Sequence, residues 1–336
     1  MKKLLTLIPL LLLFGSVHAQ SLQQNISVHD PVMIRQDSTY YIFCTGNGIA
    51  MWSSTDRLNW KRERPVFDVT PQWVLDALPN FKSGFWAPDI SYYNGLYYLY
   101  YAVSAFGKNT SAIGVATSKT LHTDSPDYGW TDHGKVIQSF PGKTNWNAID
   151  PNLIVDNDGT PYLVFGSFWD GLKIARLSKN RLSVNDDIAN LPTIASRKRH
   201  SADANPPSVD DNPVDAGGNA IEAPFVFKKG QYFYLFASID YCCKGPKSTY
   251  KMIVGRSKNL KGPYLDRDNL NMANGGGTIV LAGDKDWYGV GHNAVCTFDG
   301  VDYLIFHGYD ASDNGRSKLR IEKLDWDKDW PVVAGH

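Results

Sequence analysis

The chain has 336 residues, 43% of them hydrophobic and 13% aromatic, enough apolar material for a large core. Its 34 Lys and Arg balance its 34 Asp and Glu, for a formal net charge of +0. A neutral chain has no long-range attraction to nucleic acid, to an anionic membrane or to an acidic polymer such as a pectin backbone, so a neutral polymer suits it better.

The N-terminus reads as a targeting segment. Lys2 and Lys3 precede an apolar run from Leu4 to Phe14, and Val17-His18-Ala19 is a small-x-small cleavage site. The run is too short to span a bilayer and no stop-transfer flank follows it. No cysteine follows closely enough for a lipid anchor. Residues 1–19 are therefore expected to be a bacterial signal peptide, removed on export to the periplasm or the medium. Residues 20–336 are expected to fold as a single domain without membrane attachment.

Past this segment the chain is strand-rich, with short Tyr, Phe, Val, Ile and Leu runs between Gly, Asn and Asp turns. A helical turn or two is expected near Trp73–Leu78. Five segments share one layout: a polar opening residue, a short apolar strand, a turn, then a very aromatic strand. They are His29-Asp30-Pro31 before Tyr40-Tyr41-Ile42-Phe43, Ala87-Pro88-Asp89 before Tyr97–Tyr101, Ile149-Asp150-Pro151 before Tyr162–Phe165, Ile221-Glu222-Ala223-Pro224 before Tyr232–Phe236, and His292-Asn293-Ala294 before Tyr303–Phe306. A third strand follows in each, at Ile49–Trp52, Ile113–Ala116, Leu172–Ala175, Met252–Gly255 and Leu319–Glu322. A repeat of roughly 60–70 residues with about four strands reads as a propeller blade. One blade cannot bury both faces of its sheet, whereas five stacked around an axis can. The expected fold is an all-β, five-bladed β-propeller. The opening residues are aligned as Asp30, Asp89, Asp150, Glu222 and Asn293, and closure could use residues 20–28 or the C-terminal segment alone.

In a propeller the innermost strands line a central channel, so these openings become neighbours. Asp30, Asp150 and Glu222 then form a carboxylate set. Glycoside cleavage needs two carboxyl groups flanking the bond, and a third nearby raises the pKa of the acid. Asp89 reads instead as structural, because Pro88 shapes its turn. Trp86, Phe106, Phe168 and Trp169 are loop aromatics able to stack on sugar faces. His292, in Gly289-Val290-Gly291-His292-Asn293, faces the channel with a metal, a substrate or a structural role open. Gly275-Gly276-Gly277-Thr278 lacks the ending of a phosphate loop. The sequons at Asn25 and Asn109 are expected to be silent. Of the four cysteines, Cys44, Cys242, Cys243 and Cys296, a bridge between the adjacent pair would be strained. Small buried residues or one bridge are expected.

The motifs His29-Asp30-Pro31, Gly84-Phe85-Trp86-Ala87-Pro88-Asp89, Asn147-Ala148-Ile149-Asp150-Pro151, Gly166-Ser167-Phe168-Trp169, Ala220-Ile221-Glu222-Ala223-Pro224, Tyr241-Cys242-Cys243-Lys244-Gly245 and Gly291-His292-Asn293 resemble, in order and spacing, those of glycoside hydrolase family 43. They resemble most its arabinan endo-1,5-α-L-arabinosidases. The resemblance covers residues 26–332 and implies an inverting, monomeric hydrolase of arabinan and arabino-oligosaccharides. Asp30 corresponds to the general base, Glu222 to the general acid and Asp150 to the residue that tunes and orients that acid. The resemblance also implies a calcium ion in the channel, held largely through water, with His292 as its protein ligand. Trp86 and Phe106 match ring-stacking positions, and Asn147 and Ser167 lie in matching substrate-side loops. Two features depart from the pattern or leave it open. Phe306-His307-Gly308-Tyr309-Asp310 stands where Tyr-His-Ala-Tyr-Asp is usual, and the polar loop 196–219 could block one end of a groove, leaving internal against terminal cleavage open. Arabinofuranosidase or xylosidase activity, and a non-catalytic sugar-binding propeller, are the competing readings.

Overall fold

A computed structural model describes residues 23–197 and 219–333. The signal segment at 1–19 and most of the polar loop before Glu222 lie outside the described residues. Five four-stranded antiparallel sheets follow one another along the chain, each in simple sequence order. The first contains β1 (Val32–Gln36), β2 (Thr39–Cys44), β3 (Ala50–Ser54) and β4 (Lys61–Arg62). The second contains β5 (Trp86–Tyr93), β6 (Leu96–Val103), β7 (Ser111–Ser118) and β8 (Thr131–Ser139). The third contains β9 (Asn152–Val155), β10 (Pro161–Phe165), β11 (Leu172–Arg176) and β12 (Thr193–Ala195). The fourth contains β13 (Ile221–Lys229), β14 (Tyr232–Ile239), β15 (Lys251–Ser257) and β16 (Thr278–Ala282). The fifth contains β17 (Trp287–Phe298), β18 (Val301–Asp310), β19 (Arg316–Asp327) and β20 (Trp330–Val333). A single-turn helix α1 (Gln72–Ala77) sits where the sequence predicts it.

The aromatic second strands explain the ring. In β6, Tyr97, Leu99, Tyr101 and Val103 enter the core shared with the first blade, while Tyr98, Tyr100 and Ala102 enter the core shared with the third. In β14, Phe233, Leu235 and Ala237 face the third blade, and Tyr234 and Phe236 face the fifth. Side chains alternate with period two, so a strand buried on both faces reads as a continuous apolar run. The first core also takes in Ala294, Phe298 and Ile305 from the fifth blade, which closes the ring. All four strands of the fifth blade come from the C-terminal part of the chain. Residues 23–28 do not complete that sheet. They run between blades, from a bridge of Gln23 with Trp60 to a hydrogen bond from Leu319 N–H to the Ile26 carbonyl.

Every inner strand carries the same irregularity at its start. Thr45 N–H donates to the His29 carbonyl while Val32 pairs with Phe43, so three steps on one strand oppose two on the other. The same count holds between Trp86↔Ala102 and Asp89↔Tyr100, between Glu222↔Ser238 and Phe225↔Phe236, and between Gly291↔His307 and Ala294↔Ile305. In the third blade Gly166 N–H meets the Ile149 carbonyl and Asn152 pairs with Val164. Each is a β-bulge, and its first residue has a left-handed backbone: Asp30, Ala87, Asp150, Ala223 and His292, with φ between 45° and 56°. Proline follows in four of the five, at a position that contributes no ladder N–H.

This corrects the alignment expected from sequence. Asp30, Asp150 and His292 are true equivalents. Glu222 lies one residue before its bulge, level with His29 and Trp86, and Asp89 lies two residues beyond its own. The extra residue of a bulge re-aims the side chains on either side of it, which no linear spacing records. Asp89 is buried and accepts hydrogen bonds from Leu153 N–H (2.6 Å) and Asn152 Nδ2 (3.3 Å), tying the second blade to the third. Burial pushes its carboxyl up to about 7. Asp89→Ala should lower stability by about 1–3 kcal/mol by orphaning those donors, while kcat stays near wild type. A thermal melt and a rate assay on the same preparation check it.

The cysteines also differ from expectation. Cys242 and Cys243 are joined to each other, with Cα atoms 3.8 Å apart. Cys44 is buried in β2, and Cys296 turns its Sγ to the Met33 carbonyl, so neither reaches that loop. The place of Asn109 has a packing explanation: the side chain is buried and donates to the carbonyls of Thr144 and Trp146. Gly308 is likewise explained, since a Cβ there would lie 2.7 Å from Cε3 of Trp287.

Candidate active site

The bulges point backbone N–H groups around the channel, and the preceding blade caps them with side chains. Asp30 N–H donates to His307 Nδ1 (3.1 Å), Ala87 N–H to Thr45 Oγ1 (2.9 Å), Ala223 N–H to Asp150 Oδ2 (3.0 Å) and His292 N–H to Ser238 Oγ (2.8 Å). Thr45, Ser238 and His307 occupy one register position on their second strands. The third blade has Gly166 there, without a side chain, and the Asp150 carboxylate takes over the role.

Asp30 is the most heavily bonded carboxylate in this ring. Its Oδ1 faces Nδ1 of His292 (3.0 Å) and Nδ1 of His29 (3.2 Å), and its Oδ2 accepts from Thr45 Oγ1 (2.5 Å). Burial opposes its ionisation, yet the charges and hydrogen bonds of His292 and His29 outweigh burial and hold the carboxyl well below its usual range. Glu222 differs. It accepts from Ser167 Oγ (2.7 Å) and Tyr250 Oη (2.8 Å), both neutral donors. Burial outweighs these bonds and raises its pKa. Asp150 is also raised, by burial and by the nearby negative charges of Glu222 and Asp30. Burial works against charge on His292, but Asp30, Asp150 and Glu222 together lift it to about 9. His307 is fully buried and held neutral by desolvation. The surroundings thus pull the two carboxyls in opposite directions within a single electrostatic cluster, Asp30 toward its charged form and Glu222 toward its protonated form.

The remaining sequence candidates divide. Trp86 opens β5 level with Glu222 and is half-buried, next to the Ala87–Thr45–Asp30 chain of bonds. Asn147 is buried and its Oδ1 has no hydrogen-bond partner, an acceptor left for something else. Ser167 is buried with its hydroxyl committed to Glu222. Phe106 is 79% exposed on the turn after β6. Sequence reasoning missed Thr45, Ser238, Tyr250, His307 and Tyr309. Thr45 and Ser238 carry no motif. Tyr250 is one of 18 tyrosines, and only its packing on Gly291 marks it: a Cβ on that glycine would lie 2.1 Å from Tyr250 Cδ1. His29 and His307 were visible inside quoted motifs without an assigned task.

The fit of a metal rests on the donors around His292. Calcium takes six to eight oxygen ligands. The described side chains form no such oxygen cage at His292, but Nε2 of this residue has no hydrogen-bond partner among them, and three carboxylates surround it. These residues fit a calcium ion held by one imidazole nitrogen and otherwise by water. His29, Asp30 and His307 form the one group of three metal-capable residues among those described. Three of its four nitrogens are already used by the Asp30 N–H, the Asp30 carboxylate and Tyr309, and the fourth, Nε2 of His307, is buried without a hydrogen-bond partner.

Comparison with known proteins accords with this geometry. Residues 24–331 match the family model described as glycosyl hydrolases family 43. An extracellular exo-α-(1→5)-L-arabinofuranosidase of Cellvibrio japonicus is 48% identical over 92% of this chain and 87% of its own length. An extracellular endo-α-(1→5)-L-arabinanase of Bacillus subtilis is 41% identical over 91% of this chain and 88% of its own. The solved structure of a Cellvibrio cellulosa α-L-arabinanase complexed with arabinohexaose superposes with a TM-score of 0.86 at 47% identity, covering 92% of this chain and 96% of that one. With a family model spanning nearly all of the chain and relatives of this identity, the protein belongs to glycosyl hydrolase family 43.

Proposed function

We propose that this protein hydrolyses α-1,5-linked arabinan and arabino-oligosaccharides with inversion at the anomeric carbon. The observation that carries the reading is the contrast between two buried carboxyls of one cluster: Asp30 bonded by His292, His29 and Thr45 and shifted down, Glu222 bonded only by the neutral hydroxyls of Ser167 and Tyr250 and shifted up. Asp30 takes a proton from water as the water oxygen bonds to the anomeric carbon. Glu222 gives its proton to the leaving oxygen as the glycosidic bond breaks. Asp150 accepts the Ala223 N–H and so fixes the bulge beside the acid, and its own carboxyl is shifted up by burial and by the charges of Glu222 and Asp30. Ser167 and Tyr250 orient the acid carboxyl. Trp86 and Phe106 offer ring faces to arabinose, and Asn147 offers its free acceptor. His292 would hold the calcium ion, whose positive charge would offset the carboxylates; the imidazole would then ligate in its deprotonated form.

The printed names of the relatives support arabinan as the substrate and include both exo and endo action. Asn219 receives hydrogen bonds from Ser196 Oγ and Arg197 N–H and so ties residues 196–197 to the start of the strand that carries Glu222. The relatives are named extracellular, which supports export by the signal segment, and a ring closed within one chain suits a monomer. The test is a panel of linear arabinan, branched arabinan, arabinoxylan and xylo-oligosaccharides, with reducing ends counted and the first product observed by NMR. Linear arabinan should be cut fastest and release the β-anomer first. Faster cleavage of xylan substrates, or an α-anomer as first product, would overturn the assignment.

A further inference from the structure

The loop after β14 ends in the adjacent, disulfide-linked Cys242 and Cys243, and it reaches back into the channel. Cys243 N–H donates to Tyr309 Oη (2.7 Å), Tyr309 Oη meets His29 Nε2 (2.9 Å), and His29 Nδ1 meets Asp30 Oδ1 (3.2 Å). A backbone N–H can only donate, so Tyr309 Oη accepts from Cys243 and shares one further hydrogen bond with His29 Nε2. His29 Nδ1 in turn meets the Asp30 carboxylate, so the loop, the tyrosine, the imidazole and the carboxylate form one connected series. The same loop is held at its base by Lys244 N–H on Ser248 Oγ (3.1 Å). Cys243 has φ of 65°, a conformation costly for a residue with a Cβ. The bond to Cys242 is the covalent feature that restrains this turn.

We propose that the Cys242–Cys243 disulfide is a redox-sensitive clamp that positions Asp30 through Tyr309 and His29. Tyr309 and His29 are positioning residues, and the proposal rests on Asp30 being the base. Tyr309 is buried between the loop and the channel and packs edge-on against His29 and His307. Cys243 is solvent-exposed, and exposed disulfides are the labile ones. Cys44 and Cys296 are free thiols, so the chain offers a reductant a single disulfide. A dithiol such as dithiothreitol gives two electrons and two protons. The S–S bond breaks, two thiols form on Cys242 and Cys243, and the reductant closes to its own cyclic disulfide. The freed turn can then leave its left-handed conformation, and Cys243 N–H swings off Tyr309.

The test follows kcat and KM on linear arabinan for the whole secreted protein with and without dithiothreitol. Reduction of the wild type should lower kcat roughly 10–100-fold, as expected for a catalytic group displaced by a fraction of an ångström to an ångström, with KM nearly constant and the rate restored by reoxidation. Tyr309→Phe should start at the lowered kcat and show no further response to reductant. The Cys242→Ser/Cys243→Ser double variant should behave the same way. Circular dichroism of each sample, unchanged from wild type, separates positioning from unfolding. If reduction and Tyr309→Phe act additively, or change KM in place of kcat, the clamp is wrong. An Asp30→Asn variant separates the two levels. Its inactivity beside a fully active reduced enzyme and a fully active Tyr309→Phe overturns the clamp alone. Its retained activity overturns the base assignment and the clamp with it.

Discussion

Asp30→Asn should lower kcat on linear arabinan by about 10²–10⁴-fold, the range spanned by loss of a positioned general base, with little change in the melting curve. The fold is expected to tolerate the exchange for a local reason. Residue 30 has φ of 53°, and asparagine is among the few side chains that enter this region readily. The amide keeps one oxygen for a hydrogen bond from Thr45 or His292, at 2.5 and 3.0 Å in the wild type. What it cannot do is accept a proton from water. KM should therefore change far less than kcat, because the sugar is held by other groups. Steady-state kinetics on purified variant and wild type decide this, and a kcat within a few-fold of wild type would remove Asp30 from the mechanism.

Glu222→Gln should have an effect of similar size, about 10²–10⁴-fold in kcat on arabinan, and should depend on the leaving group. An arabinan alkoxide needs the proton that Glu222 supplies, whereas an aryl arabinoside departs as a stabilised phenolate. The loss on the aryl substrate should be much smaller. A glutamine oxygen can accept from one of the Ser167 and Tyr250 hydroxyls while its amide N–H donates to the oxygen of the other, so the inner strand should keep its place. The pH profile supplies a second readout. Burial raises the Glu222 pKa, so the protonated form persists above the ordinary carboxylate range and is lost as pH rises through the raised value. Wild-type kcat/KM should fall on that alkaline side, and the Gln variant should lack that limb. Equal losses on both leaving groups would show that Glu222 is not the proton donor.

The sequence and the structure divide the remaining credit in a physically intelligible way. Strand periodicity, the five aromatic runs and the Asp-Pro or Ala-Pro openings are local properties, and they are sufficient for blade number, chain order and the identity of the carboxylates. A doubly buried strand must be apolar throughout, and proline must stand where no ladder N–H is needed, so both features are written in the chain. The alignment of openings failed by one or two residues at Glu222, Asp89 and Asn293 because a bulge is a mismatch between two strands and exists only once they pair. The caps from Thr45, Ser238, Asp150 and His307 join residues 42, 54, 73 and 277 positions apart, and Tyr250 and Tyr309 reach Glu222 and His29 across 28 and 280. No spacing encodes such contacts. The bond between Cys242 and Cys243 depends on a left-handed turn that sequence reasoning discounts as strained. Residue types alone thus determined which chemistry was available. The closing of the ring decided which carboxyl group is shifted toward its charged form and which toward its protonated form, because desolvation and neighbouring imidazoles act only through distance in the folded chain.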